Sequence, residues 1–322
     1  MSAQCCIDNL RGSMRKLCLP VLLLISIHSL YCQKLDPVSE WATIAAYEYH
    51  FFPNIVYAKA SNIDLRLDVI TAGAPTQTRP TLVYIHGGGW VIASKEQTLL
   101  SSLPYLARGM NLVTVEYRLG SQSLAPAAVE DCRCALRWVY LHAKEYGFDT
   151  TKLVLEGHSA GGHLSLMTGM LDSSAGFDNE CPGNESLKGG PLWQGDLRVA
   201  AIINHFGITD VADLLQGPNT KWYAVNWFGS LPDRMELAKK VSPLTYVRPG
   251  LPPIITLHGD KDALVPYQHA VRLREALDHA GVPNELFTVP GGGHGGWTRE
   301  ENLRAQEAIF QFLAKYGILP AQ

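Results

Sequence analysis

Gly157-His158-Ser159-Ala160-Gly161 is the stretch on which the reading of this sequence turns. It has the form G-x-S-x-G. An apolar run, Lys152-Leu-Val-Leu-Glu156, precedes it and reads as a buried parallel strand. Gly162-His163-Leu164-Ser165-Leu166-Met167 follows and reads as the start of a helix. Strand, tight turn and helix in that order make the serine of such a motif a nucleophile. A chain turning sharply from strand to helix crowds its own backbone, and Gly157 and Gly161 remove the side chains that would collide. Ser159 is then held out beyond the sheet, beside a helix N-terminus whose free N–H groups favour negative charge.

Upstream, Thr81-Leu-Val-Tyr-Ile85 reads as a buried strand that ends in His86-Gly87-Gly88-Gly89-Trp90. Consecutive glycines let backbone N–H groups face a ligand without steric cost. Acyl transfer needs such donors aimed at the oxygen that becomes negative in the transition state. The H-G-G-G form is the partner of the serine turn in esterases and lipases. His86 reads as a brace of this loop, and Trp90 either packs beneath it or walls a pocket.

Downstream, a strand over Pro253–Leu257 runs into His258-Gly259-Asp260-Lys261-Asp262, and a last strand over Glu285–Val289 runs into Gly291-Gly-Gly-His294-Gly-Gly-Trp297. A serine hydroxyl needs a base to attack a carbonyl, and the base needs an orienting acid. His294 is the base candidate, in a glycine-rich loop free to lean over the strand ends. The acid is Asp260 or Asp262. The order Ser159, Asp, His294 is that of the α/β-hydrolase fold.

The remaining pattern agrees with that order. Strands are expected over Asn54–Lys59, Ile63–Ile70, Asn111–Val115 and Val199–Ile203 besides those already named. The second alternates Ile63, Leu65, Leu67 and Val69 with Asn62, Asp64, Arg66 and Asp68, a strand with one wet face. Helices are expected over 96–109 and 300–316. Ala128, Cys132, Ala135, Leu136 and Val139 are spaced for one face of another, and Ala270, Leu273, Leu277 and Ala280 for one more. The expectation is a mostly parallel eight-stranded sheet with helices on both faces and a small cap insertion. Residues 172–196 read as a surface excursion with a glycosylation sequon at Asn184. Within 207–250, Trp222, Tyr223, Trp227 and Phe228 either line a substrate pocket or pack the cap onto the body.

The 322 residues, 47% hydrophobic and 18% charged, suit one large α/β domain over 33–322. The net charge of −3 gives no reason to expect nucleic acid. Arg15-Lys16, the apolar run Leu17–Ile27 and a polar exit to Cys32 read as a signal peptide over 1–32, with 1–13 an over-extended start before Met14. The run is too short to span a membrane. Tyr31 ahead of Cys32 disfavours a lipid anchor, so the chain is expected to be secreted or periplasmic. Cys132, Cys134 and Cys181 remain after cleavage. Cys132 and Cys134 point different ways on a helix and do not pair with each other. Three structural thiols are expected, with a bridge to Cys181 the alternative. No Cys/His grouping has zinc spacing, so no metal and no cofactor is expected. His158 reads as a neighbour of the site and His163 as a helix residue.

On His86–Trp90, Glu116–Leu119, Pro126–Asp131, Gly157–His163, His258–Asp262 with Val265-Pro266, and Gly293–Trp297, the chain resembles the bifunctional feruloyl and acetylxylan esterase-like family over residues 50–316. The resemblance implies a serine esterase. It places the acid on Asp262, leaving Asp260 a turn residue, and the oxyanion donors on the backbone of Gly88, Gly89 and Ala160. Its implied substrate is a small ester or an acylated polysaccharide carrying acetyl or feruloyl groups. A general short-chain or arylformamidase-like hydrolase is the alternative, and a catalytically silent binding protein on the same fold the alternative of another class. Trp90, His158, Trp222, Tyr223, Trp227, Phe228 and Trp297 are the pocket candidates.

Overall fold

The computed structural model describes residues 35–74, 76–179, 181 and 196–321. The expected signal peptide and the sequon at Asn184 lie outside the described residues. A first unit ends at Tyr47, and the main body runs Glu48–Gln322. Helix α1, Pro37–Glu48, buries none of its residues. It is opened by Asp36, whose Oδ1 accepts from the N–H groups of Val38 at 3.0 Å and Ser39 at 3.1 Å.

The body contains β1 (Tyr49–Ala60), β2 (Ile63–Ala72), β3 (Arg79–Ile85), α2 (Leu99–Leu106), β4 (Asn111–Val115), α3 (Ala127–Leu141), α4 (Ala143–Tyr146), β5 (Phe148–His158) and α5 (Ala160–Met170). It continues with β6 (Ala201–His205), α6 (Trp222–Phe228), α7 (Arg234–Lys240), β7 (Ile254–Gly259), α8 (Gln268–His279), β8 (Asn284–Val289) and α9 (Arg299–Lys315). The strands form one eight-stranded sheet in the order β1-β2-β4-β3-β5-β6-β7-β8. β2 is antiparallel to both its neighbours, and all other pairs are parallel. This is the α/β-hydrolase fold, with α6 and α7 in the insertion between β6 and β7.

The pleat sorts residues to two covered faces. Val83, Ile85, Leu153 and Leu155 join one core cluster with Ala128, Cys132 and Val139 of α3 and Leu164 and Met167 of α5. Glu156, of the alternate set, shares a cavity with Pro104 of α2 and Ala305, Gln306 and Ile309 of α9. Tyr84 pairs with Glu156 across the β3–β5 ladder. The expected face of α3 is buried on its alanines and Cys132, and that of α8 on Ala270, Leu273 and Leu277, while Ala280, expected on the same face, follows the last residue of α8 and is half-buried.

Two expectations change. The wet face of β2 fails at Asp68, which is buried because Lys95 Nζ reaches its carboxylate at 2.8 Å and the Asn54 N–H donates to it at 2.7 Å. The expected three thiols are a disulfide and one thiol: Cys134 of α3 is bonded to Cys181, and Cys132 is free and buried. Arg133, next to Cys134, makes a second tie to the same segment. Its Nη2 reaches Asp178 at 2.6 Å, three residues before Cys181.

Candidate active site

The parallel register sets the carboxyl ends of β3, β5, β6 and β7 side by side, with Ile85 opposite Gly157, His158 opposite His205, and His205 opposite Leu257. The loops leaving these ends meet at one place, where open α/β sheets bind ligands.

Ser159 sits between β5 and α5 at φ 56°, ψ −119°, a conformation that costs a non-glycine residue energy. Its surroundings hold it there. Its N–H donates to His205 O at 2.9 Å, and its carbonyl accepts from the His163 N–H at 3.0 Å. A Cβ on Gly161 would stand 2.1 Å from Ile85 O, and one on Gly157 2.3 Å from the Gly161 backbone. Only glycine lets β3, β5 and α5 approach this closely. Ala160 is the first residue of α5, where a helix N–H has no intrahelical partner.

The glycine loop after β3 is equally fixed. Gly88 has φ 103°, and a Cβ there would lie 2.0 Å from Ile92 O. The Tyr117 hydroxyl lies 3.0 Å from the carbonyls of both His86 and Gly87. His86 stacks on the Tyr117 ring at 4.2 Å, and burial lowers its pKa to about 4, so it braces the loop as a neutral ring. Tyr223 packs against Gly89, where a Cβ would meet the tyrosine's own Cβ at 2.7 Å, and its hydroxyl donates to Leu264 O at 2.8 Å. One side chain thus ties the glycine loop to the loop after β7.

That second loop carries Asp262. Its Oδ2 accepts from His294 Nδ1 at 2.7 Å, and its Oδ1 from the N–H groups of Leu264 at 2.8 Å and Val265 at 2.9 Å. His258 Nε2 lies 3.3 Å from Oδ2. Burial alone would raise the carboxyl's pKa. The hydrogen bonds from His258 and His294, the His294 charge and the Val265 N–H outweigh it and hold Asp262 well below the usual carboxylate range. Asp260 does something else: its Oδ1 accepts from the Gly291 N–H at 2.7 Å, pinning the glycine loop that carries His294.

Ser159 and His294 open onto one cavity of about 570 Å³ with Gly88, Gly89, His158, Trp222 and Tyr223. Four pocket candidates lie elsewhere. Trp90 is fully buried, stacked on Trp227 at 4.2 Å, with its Nε1 donating to His163 Nδ1 at 3.1 Å. It anchors the loop from beneath. Trp227 and Phe228 are fully buried on the inner side of α6. Trp297 lines an adjoining cavity of about 530 Å³. Phe206, against the His294 ring at 4.5 Å, lines both cavities. Nothing in its local sequence marks it. The register of β5 on β6 also gathers Glu156, His158 and His205, with one potential metal-ligand atom of each within 4.8 Å of the others.

The BD-FAE family model matches residues 67–277, more than half of the chain. The chain belongs to the BD-FAE family. A TAP-like protein model also matches residues 234–322. Among curated relatives, the probable carboxylic ester hydrolase LipM of Mycobacterium tuberculosis is 30% identical over 66% of this chain and 48% of its own length. The chain spans about half the length of the curated relatives it matches. A solved structure, the propionate-bound esterase Est2 of the Planctomycetes species Thermogutta terrifontis, is 31% identical with a TM-score of 0.69, over 84% of this chain and 96% of that one. Its form phosphonylated by cyclosarin is 29% identical over the same shares, with a TM-score of 0.67. Against these BD-FAE and esterase relatives, the expected feruloyl esterase-like kinship and the α/β-hydrolase fold both hold.

Proposed function

We propose that this BD-FAE member is a serine carboxylic-ester hydrolase that forms an acyl-enzyme on Ser159. The observation that carries it is the Asp262–His294 pair opening onto the cavity of a serine held at left-handed φ. His294 Nδ1 is engaged by Asp262, so Nε2 is the base that takes the Ser159 proton as Oγ attacks the ester carbon. The oxyanion is met by the N–H groups of Gly88, Gly89 and Ala160. Collapse expels the alcohol with the proton from His294, and water releases the acid by the same path. Asp262 stays ionised and stabilises the imidazolium. Ser159→Ala is expected to lower kcat for p-nitrophenyl acetate by about 10⁶ with an unchanged circular dichroism spectrum. Full activity in that variant would remove Ser159 from the mechanism.

The substrate we assign is a short acyl ester on a sugar-like alcohol, as on acetylated or feruloylated polysaccharide. Two things support a small acyl group: the relative's structure holds propionate, and the cavity is walled by half-polar Tyr223 and by Trp222, 60% exposed at its rim. Amphipathic aromatics suit a wet, sugar-like partner. A further buried methylene adds about 0.8 kcal/mol only where a groove receives it. Acetyl and propionyl esters should therefore exceed decanoyl esters in kcat/KM. A steady climb to decanoate would overturn the assignment. We also assign a secreted or periplasmic location, on the signal-peptide pattern of residues 1–32 and on the Cys134–Cys181 bridge, since disulfides persist in oxidising compartments. Mature protein from the medium or periplasm should begin near residue 33, and an intact N-terminus would argue against it.

A further inference from the structure

Glu156 and His158 are two apart on β5, so the pleat turns both side chains to one face. His205 on β6 is the register partner of His158. His205 Nε2 lies 2.8 Å from Glu156 Oε1, and the two imidazole rings are 4.1 Å apart. Glu156 is 3% exposed, and its Oε2 has no hydrogen-bond partner within 3.5 Å among the described residues, although the Tyr105 hydroxyl is close enough to favour its charged form. A buried carboxylate oxygen without a partner is costly. The ester mechanism uses none of these three side chains. The adjoining cavity of about 530 Å³ is lined by all three and by the exposed Leu100 and Leu303, so it connects them to solvent.

We propose that Glu156, His158 and His205 bind a divalent cation of borderline softness, Zn²⁺ foremost, and that its occupancy slows turnover at Ser159. Two imidazoles and one carboxylate are a zinc donor set that leaves positions open for water. Mg²⁺ and Ca²⁺ prefer all-oxygen shells and are excluded. Both histidines ligate as neutral imidazoles, each through a ring nitrogen already facing the cluster. The cation takes the place of the proton between Glu156 and His205, and that proton leaves to solvent. Small side-chain rotations close the set to zinc–nitrogen distances of about 2.0–2.1 Å. The effect on turnover rests on the esterase reading. His158 is adjacent to Ser159 in sequence and lines the same cavity as Ser159 and His294, and both imidazoles pack on Phe206, at 5.4 Å and 4.5 Å. A dication there opposes the imidazolium that His294 must become in the transition state.

The test uses chelator-treated full-length protein titrated with Co²⁺, read by its visible absorption, with Zn²⁺ and Mg²⁺ as competitors. The expected result is saturable binding of one Co²⁺ per chain, displaced by Zn²⁺ and not by Mg²⁺. Glu156→Gln and His205→Gln should each weaken it by about tenfold or more. Turnover of p-nitrophenyl acetate should fall in step with occupancy and recover with EDTA. In Glu156→Gln, the rate relative to its own metal-free value should no longer respond to the same Zn²⁺ concentration. No saturable signal in the wild-type chain, binding unaltered in both variants, or undiminished turnover with Zn²⁺ bound would each overturn the proposal. Because binding is read without turnover, an inactive metal-free protein would count against the esterase reading alone.

Discussion

Asp260 and Asp262 stand two apart in one loop and do different work. Asp262 accepts the His294 proton-bearing nitrogen and two backbone N–H groups while buried. Asp260 accepts one N–H from Gly291 at a solvent-exposed bond. Asp262→Asn keeps the shape but offers His294 an amide, which no longer fixes the tautomer or stabilises the imidazolium. It should lower kcat by about 10⁴. Asp260→Asn removes one exposed charge-assisted bond and should cost about 1 kcal/mol of stability at most, with kcat within about tenfold of wild type. Steady-state kinetics on both variants decide it, and the reverse ranking would move the acid to Asp260.

At the scale of the element, α6 is seven residues long and has two unlike faces. Trp227 is inside, stacked on Trp90, whose indole holds His163 and through it the start of α5. His163 Nε2 in turn reaches Val241 O at 2.6 Å, which joins the insertion to the helix that follows Ser159. Trp222 is on the rim of the cavity. Trp227→Ala should destabilise the fold by about 3–5 kcal/mol, as large-to-small core changes do. Trp222→Ala should change stability by less than about 1 kcal/mol and raise KM for aryl or sugar esters. Urea denaturation and KM measured on the same two variants check both halves. A stable Trp227→Ala protein would mean that α6 is not held by this stack.

For the whole molecule, four buried imidazoles and the half-buried His158 set the response to acid. Burial lowers the pKa of His86, His163 and His269 to about 4 and of His158 and His205 to about 3. In the unfolded chain each titrates near 6.5. A depressed folded pKa contributes stability that is present above 6.5 and lost as pH falls towards the folded value, by up to about 1.4 kcal/mol per pH unit for each group. Glu156 has the opposite sign: burial raises it to about 7, so its contribution is present below about 4.5 and lost as pH rises through 7. It offsets only part of the histidine effect. The unfolding temperature should therefore drop steadily from pH 7 to pH 5 in calorimetry, and a flat profile over that range would show that these rings are solvated.

The sequence by itself determined the strand count, the strand–turn–helix at Ser159, the glycine loop at 86–90 and the loops that carry Asp262 and His294. Each is local: an apolar run followed directly by the residues in question, with the helix faces of α3 and α8 legible in their 3.6-residue spacing. Tertiary structure decided what depends on a neighbour distant in the chain. A seven-residue helix with aromatics at 222, 223, 227 and 228 has no inside until Trp90 supplies one. Cys134 has no partner until the chain, 47 residues on, returns Cys181 to α3. Glu156, His158 and His205 have no metal-ligand spacing along the chain, because what joins them is the pleat of β5 and its register on β6.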